Sequence, residues 1–155
     1  MKPEPKQYED PTAWTITGEL PPPEVWPRIL RHHITPVVSL FHSEGIALIP
    51  SRGSCYRPKE WELSKGRSGI SIHTFPGVSR GACDLVRADG QAVESVLDLL
   101  VFQGPWRRIT LYPSDRFIHV DYGDHDGKLC KRRQLFECAG GRAAWIFRSW
   151  LPEVR

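Results

Sequence analysis

The chain has 155 residues, of which 40% are hydrophobic and 25% charged, and a formal net charge of +3. That balance fits one globular domain with a buried core and excludes a disordered chain or a membrane-embedded one. No apolar run approaches the ~20 residues of a transmembrane helix, and the opening Met-Lys-Pro-Glu-Pro-Lys has no apolar signal segment. The expectation is a soluble monomer made in the cytoplasm. Its basic residues form only short groups such as Arg107-Arg108 and Lys131-Arg132-Arg133, too small for a nucleic-acid interface.

Residues 1–23 read as an extended N-terminal arm, because Pro3, Pro5, Pro11 and Pro21-Pro22-Pro23 exclude an α-helix, with Trp14 able to pin the arm to the body. The single domain then spans 24–155. From Glu24 to Glu44 apolar residues recur at helical intervals, at Trp26, Ile29, Leu30, Val37, Leu40 and Phe41. Pro36 predicts a division into two helices, with Thr35 as N-cap and Gly45 as the stop. Ile46–Ile49 reads as a short buried strand and Ser51–Gly69 as a long loop. Ala82–Val86 is a strand, Asp89-Gly90 a turn, and Gln91–Phe102 the clearest amphipathic helix, ending before Gly104. Arg108–Tyr112 and Phe117–Tyr122 predict a hairpin turned by Pro113-Ser114-Asp115-Arg116. Gln134–Cys138 is a further strand candidate, and the tail Arg142–Leu151 is expected to pack back on the core through Trp145, Phe147 and Trp150.

Cys55, Cys83, Cys130 and Cys138 contain no Cys-x-x-Cys pair, which argues against a cysteine zinc knuckle. Cys83 reads as a small buried hydrophobe facing away from Asp84. Asp124-His125-Asp126 before Gly127 reads as a turn. His32, His33 and His42 read as helix-surface residues, and Trp61 and Tyr112 as residues that either line a groove or cover the core.

The chemistry concentrates elsewhere. His73, Asp84 and His119 stand on separate loop and strand segments. Two histidines and a carboxylate form the donor set of a catalytic zinc site, which keeps its fourth position open. Asp121 follows His119 by two residues and shares its face of the strand.

These residues sit in a pattern that resembles the M15 family of zinc D-Ala-D-Ala peptidases, in particular its short, phage-associated branch. The resemblance runs through Ile46-Ala-Leu-Ile-Pro-Ser51, Ser54-Cys-Tyr-Arg57, Ser71-Ile-His73, Gly81-Ala-Cys-Asp84 and Arg116-Phe-Ile-His119-Val-Asp121, covering roughly residues 25–122. It implies an α+β fold of the hedgehog/DD-peptidase type, with a small antiparallel sheet and helices packed on one face. It also implies Zn²⁺ held by His73, Asp84 and His119, and Arg57 placed to bind the substrate or its developing negative charge, a task suited to the fixed fork of a guanidinium. The implied activity is hydrolysis of peptidoglycan stem peptides beside D-amino acids, as a carboxypeptidase or an endolysin-type endopeptidase acting on the bacterial wall.

Two departures bear on that reading. His73 and Asp84 are eleven positions apart, where the family usually has seven, so Pro76-Gly77-Val78-Ser79 reads as a loop insertion. Many relatives also carry an acidic residue three positions before the last histidine, where this chain has Arg116. Asp121 is the preferred general base and Asp115 the substitute, with Asp121 equally able to orient His119 by accepting the N–H of its other ring nitrogen. The alternative function is a non-catalytic phage structural or wall-binding protein that keeps the fold.

Overall fold

The computed structural model of the chain describes residues 3–112, 117–138 and 145–153. The expected Pro113–Arg116 turn, Asp115 within it, and the start of the tail at Arg142 lie outside the described residues. Among those described, no helix is long and apolar enough to cross a membrane.

The prolines of the arm do exclude an α-helix, but they leave room for two short 3₁₀ turns, Lys6–Tyr8 and Pro11–Trp14. Such turns need only a few residues and tolerate proline at their start. The arm lies against the body. Trp14 is fully buried and donates its indole N–H to the Gln7 carbonyl at 2.7 Å, while the Tyr8 hydroxyl donates to the Leu48 carbonyl at 3.0 Å. Backbone bonds from Tyr56 N to Trp14 O (2.9 Å) and from Ile16 N to Tyr56 O (3.0 Å) tie it to the segment after Pro50. Gly53 is required at this crossing, because a Cβ there would overlap the Thr15 carbonyl.

Pro36 does not split the next segment. α1 (Trp26–Ile29) passes through a π-helical turn at Leu30–Ile34 into α2 (Thr35–Glu44), with Thr35 in ordinary helical conformation rather than capping. The wider π turn relieves the clash and the missing N–H that proline would otherwise impose. Gly45 ends the rod in a left-handed conformation, its N–H donating to Phe41 O at 2.8 Å. The expected loop 51–69 contains a short helix, α3 (Lys59–Ser64). The expected Gln91–Phe102 helix starts as a 3₁₀ turn (Val93–Val96) and continues as α4 (Leu97–Gln103).

Six strands form one sheet: β1 (Leu48–Pro50), β2 (Ala82–Arg87), β3 (Arg108–Tyr112), β4 (Phe117–Asp121), β5 (Arg133–Cys138) and β6 (Trp145–Leu151). Their spatial order is β1-β2-β4-β3-β5-β6. The fold is therefore α+β as expected, but the sheet is mixed: β5 runs parallel to β3. The connection 122–132 returns the chain to the end of the sheet where β3 begins, so β5 enters in the same direction. Alternation gives the sheet two distinct faces. Cys83, Leu85, Ile109, Ile118 and Val120 are fully buried and share one apolar cluster with Ile29, Val37, Leu40, Val96 and Leu100 of the helices. The opposite face carries Asp84, Thr110, His119 and Asp121. The tail pairs with β5 as an edge strand, leaving Phe147 and Trp150 exposed rather than packed on the core.

Two buried polar side chains were not legible as such. Arg133 is 1% exposed and donates to the carbonyls of Val101 (2.7 Å), Gly104 (3.3 Å), Trp106 (2.9 Å) and Pro152 (2.6 Å), joining the end of α4 to the tail. His33, expected on a helix surface, is fully buried. It donates from Nε2 to the Arg80 carbonyl at 2.8 Å and accepts the Trp106 indole N–H at Nδ1 at 3.3 Å. Burial lowers its pKa to about 3, so it stays neutral in the fold.

Arg133→Met leaves those carbonyls without their donor, and urea denaturation is expected to show a loss of about 2–4 kcal/mol. For His33 the unfolded chain binds the extra proton first. Its contribution is therefore complete above pH ~6.5 and is lost as the pH falls toward 3, on the order of 2–3 kcal/mol by pH 4.5. His33→Gln is expected to flatten that acid limb relative to wild type when stability is compared at pH 7 and pH 4.5.

Candidate metal centre

The register of the sheet puts the central pair together: Asp84 of β2 lies directly opposite His119 of β4. His73 arrives from a one-turn 3₁₀ segment, Ile72–Thr74, capped by the Ser71 side chain. Their inward atoms form a small triangle. His73 Nε2 is 3.2 Å from His119 Nδ1, His119 Nδ1 is 3.0 Å from Asp84 Oδ1, and His73 Nε2 is 3.3 Å from Asp84 Oδ1. Ligands about 2.0–2.1 Å from a tetrahedral zinc lie about 3.3 Å from one another. The triangle has the size of one tetrahedral face.

The outward nitrogens show why the inward ones are donors of electron pairs. His73 Nδ1 gives its proton to the Cys55 carbonyl at 2.9 Å. His119 Nε2 gives its proton to Asp121 Oδ2 at 2.6 Å. With the tautomers assigned from these partners, two nitrogen lone pairs and a carboxylate oxygen face one point, an arrangement that a cation satisfies. All three residues are buried, and together they form a group able to hold a metal ion.

Burial pushes the His73 pKa down, against the pull of Asp84. Burial also opposes charge on His119, but its bonds to Asp121 and Asp84 outweigh this and raise its pKa. For Asp84, burial would raise the pKa, yet the two histidines hold it well below the usual carboxylate range. Asp121 is likewise lowered, burial being outweighed by His119 and then Arg108.

Asp121 sits on the far edge of the His119 ring from the triangle. It is fully buried, bound by Arg108 Nε at 2.9 Å, and accepts the Gly123 N–H. That geometry fits the orienting role weighed for it and removes it from the open side of the triangle, where a base must act. Arg57 lines the cleft, but it donates to Asp84 Oδ2 at 2.8 Å and to Ser54 Oγ at 2.8 Å and 3.0 Å. Ser54 Oγ donates to the same Asp84 oxygen at 2.9 Å. The Ser-x-Tyr-Arg segment thus grips the outer oxygen of Asp84 while the inner one faces the histidines.

Sequence reasoning missed Ser54 as a site residue, although it opens the Ser-x-Tyr-Arg motif. It also missed Glu62, fully buried on α3, whose Oε1 lies 3.7 Å from Arg57 Nη1 and whose Oε2 lies 3.3 Å from Arg67 Nη1. No pattern in the chain marks Glu62, because it falls in the segment 51–69 that reads as a loop, where an acidic residue is ordinary.

The eleven-residue spacing brings His73 and Asp84 to one point because the extra loop is latched on two sides. Arg28 Nη1 donates to the carbonyls of Phe75 (3.3 Å), Gly77 (3.1 Å) and Ser79 (2.6 Å). Asp124 accepts from Ser79 Oγ (3.0 Å) and from Arg80 N (2.9 Å) and Nη1 (3.1 Å). The Asp124-His125-Asp126 segment is a turn as expected, with Gly127 N donating to Asp124 O at 2.8 Å, but Asp124 is a buried structural latch. Phe75 takes a left-handed φ of 53°. Its ring covers Gly81, where any Cβ would collide with it.

A cleft of about 860 Å³ opens over the triangle, within the range of ligand sites. Trp61 lines it, as do Tyr112, Phe117 and Trp145 on the sheet side and Arg52 and Ile16 at the rim. Among the described residues, Asp84 is the only carboxylate on its walls. Asp115 lies outside the described residues. No family model, no curated protein and no solved structure matches this chain.

Isothermal titration with Zn²⁺ is expected to give one site per chain in the wild type and none in His119→Ala. Asp121→Asn is expected to weaken the site 10–100-fold without abolishing it, the range for loss of a carboxylate that orients a ligand histidine.

Proposed function

We propose that the chain is a zinc-dependent peptidase that hydrolyses peptidoglycan stem peptides beside a D-amino acid. The observation that carries a metal-dependent hydrolase is the triangle of three electron-pair donors beneath an open cleft. The resemblance to the M15 peptidases supplies the bond and the polymer. His73, Asp84 and His119 would hold the ion. When bound there, zinc supplies an electrophile for the scissile carbonyl and an acidified water.

The remaining parts belong to the chain. Asp121 and Cys55 O fix the two imidazoles in the ligating tautomer. Ser54 and Arg57 hold the outer oxygen of Asp84 and so aim the inner one. With the Arg57 guanidinium engaged in this way and Arg67 paired with Glu62, Arg52 is the cleft-wall cation, among the described residues, placed to meet an anionic stem peptide. The sequence offers Asp115 as the remaining candidate for the proton-transferring group. A second reading, a wall-binding protein without turnover, is favoured by one observation: no carboxylate other than Asp84 lines the cleft among the described residues.

Zinc-loaded protein is expected to release peptide or amino-acid products from purified peptidoglycan, read by mass spectrometry. Chelation and His119→Ala should abolish release, and Asp115→Asn should lower it about 10²–10⁴-fold while leaving zinc bound. Stoichiometric zinc without any product would decide for the wall-binding reading.

A further inference from the structure

The row of the sheet that holds the metal group does not stop at the cleft. Cross-strand partners share a face, and the register carries one row from Asp84 and His119 through Thr110 to Phe136 and Phe147. The neighbouring row on one side holds Phe117 opposite Tyr112 and ends at Trp145 opposite Cys138. The row on the other side runs from Asp121 through Arg108 and Gln134 to Trp150. A bulge between Leu135 and Phe136 keeps Phe147 and Trp150 on this face although they are three residues apart.

The result is an unbroken aromatic track. The Trp145 ring lies 5.0 Å from His119 and 5.7 Å from Phe136; Phe136 is 5.8 Å from Phe147, and Phe147 is 4.9 Å from Trp150. The inner end lines the cleft, and at the outer end Phe147 is 44% and Trp150 47% exposed. Exposed aromatics concentrated on one strand and continuous with a cleft mark a binding surface rather than scattered surface apolarity.

We propose that this track, whose rings are tilted or edge-on to one another, is a platform for the glycan strand of the polymer whose peptide enters the cleft, an N-acetylhexosamine chain whose pyranose faces stack on the exposed rings of Phe147 and Trp150. The choice of the wall polymer rests on the peptidase reading; the choice of a sugar over a polyanion rests on charge. Single-stranded nucleic acid would need cations free to follow its phosphates beside the stacking rings. Among the described residues, two of the three guanidiniums along the track are held by carboxylates: Arg108, which stacks on Trp145 at 5.1 Å, by Asp121, and Arg148 by Glu137. Arg132 lies on the Trp150 ring at 4.3 Å. An uncharged ring with an apolar face and peripheral hydroxyls matches this surface: the aromatics take its C–H face, and Gln134 and the guanidinium edges take its hydroxyls.

The test uses the full chain and a soluble, uncharged probe, the hexamer of N-acetylglucosamine, with binding read by calorimetry. Wild type is expected to bind, and Trp150→Ala and Phe147→Ser each to weaken binding about tenfold, with unchanged circular dichroism. Asp84→Asn should lose zinc yet keep the sugar, so failure of the peptidase reading and failure of the platform give different results. No binding by wild type, or binding that neither aromatic variant weakens, overturns the proposal. Tighter, salt-sensitive binding of an oligo-dT strand overturns it in favour of a polyanion. A sedimenting dimer that Trp150→Ala dissociates overturns it in favour of a second copy on the β6 edge.

Discussion

A single carboxylate organises this molecule. Asp84 turns one oxygen toward two histidines and the other toward Ser54 and Arg57. Buried without partners, such a charge would be too costly to keep. Here the protein surrounds it with donors on one side and leaves facing lone pairs on the other. The second half of that arrangement is one that a cation could balance, so the three side chains form a group able to hold a metal ion.

The sheet makes the arrangement affordable in geometry. Because Asp84 and His119 are cross-strand neighbours, their approach is set by the strand spacing and needs no flexible loop. Only His73 comes from irregular backbone, and that backbone is heavily held. Its Nδ1–H is fixed by Cys55 O, and the following loop is fixed by Arg28 and by Asp124. The left-handed Phe75 shows that this path carries local strain, which the surrounding contacts stabilise.

The same alternation divides labour between the faces. Residues of odd and even position on β2, β3 and β4 go to opposite sides, one closing the core with the helices and the other facing the cleft. Helices supply the rigid backing, and the N-terminal arm, the 51–57 segment and α3 supply walls. Glu62 on α3 reaches Arg57, so even this short helix is connected to the ligand set.

The sequence by itself determined the α+β class, the strands carrying Asp84 and His119, the hairpin partners β3 and β4, the Gly45 stop and the shared face of His119 and Asp121. The fold class came with the family resemblance; the strands, the Gly45 stop and the shared face follow from local periodicity and local turn chemistry. Residue types also marked His73, Asp84 and His119 as a donor set, and the Ser-x-Tyr-Arg motif marked Arg57. Tertiary structure alone decided the rest. It made β5 parallel through the path of a connection, buried His33 and Arg133 among distant carbonyls, and let a π turn absorb Pro36. It also turned Asp121 to the outer edge of His119, bound Arg57 to Asp84, and aligned the aromatics of β5 and β6 with the row of Asp84 and His119. Arg133, His33 and Arg57 each meet partners tens of residues away, and a one-dimensional pattern fixes the face of a residue but not the partner that waits there.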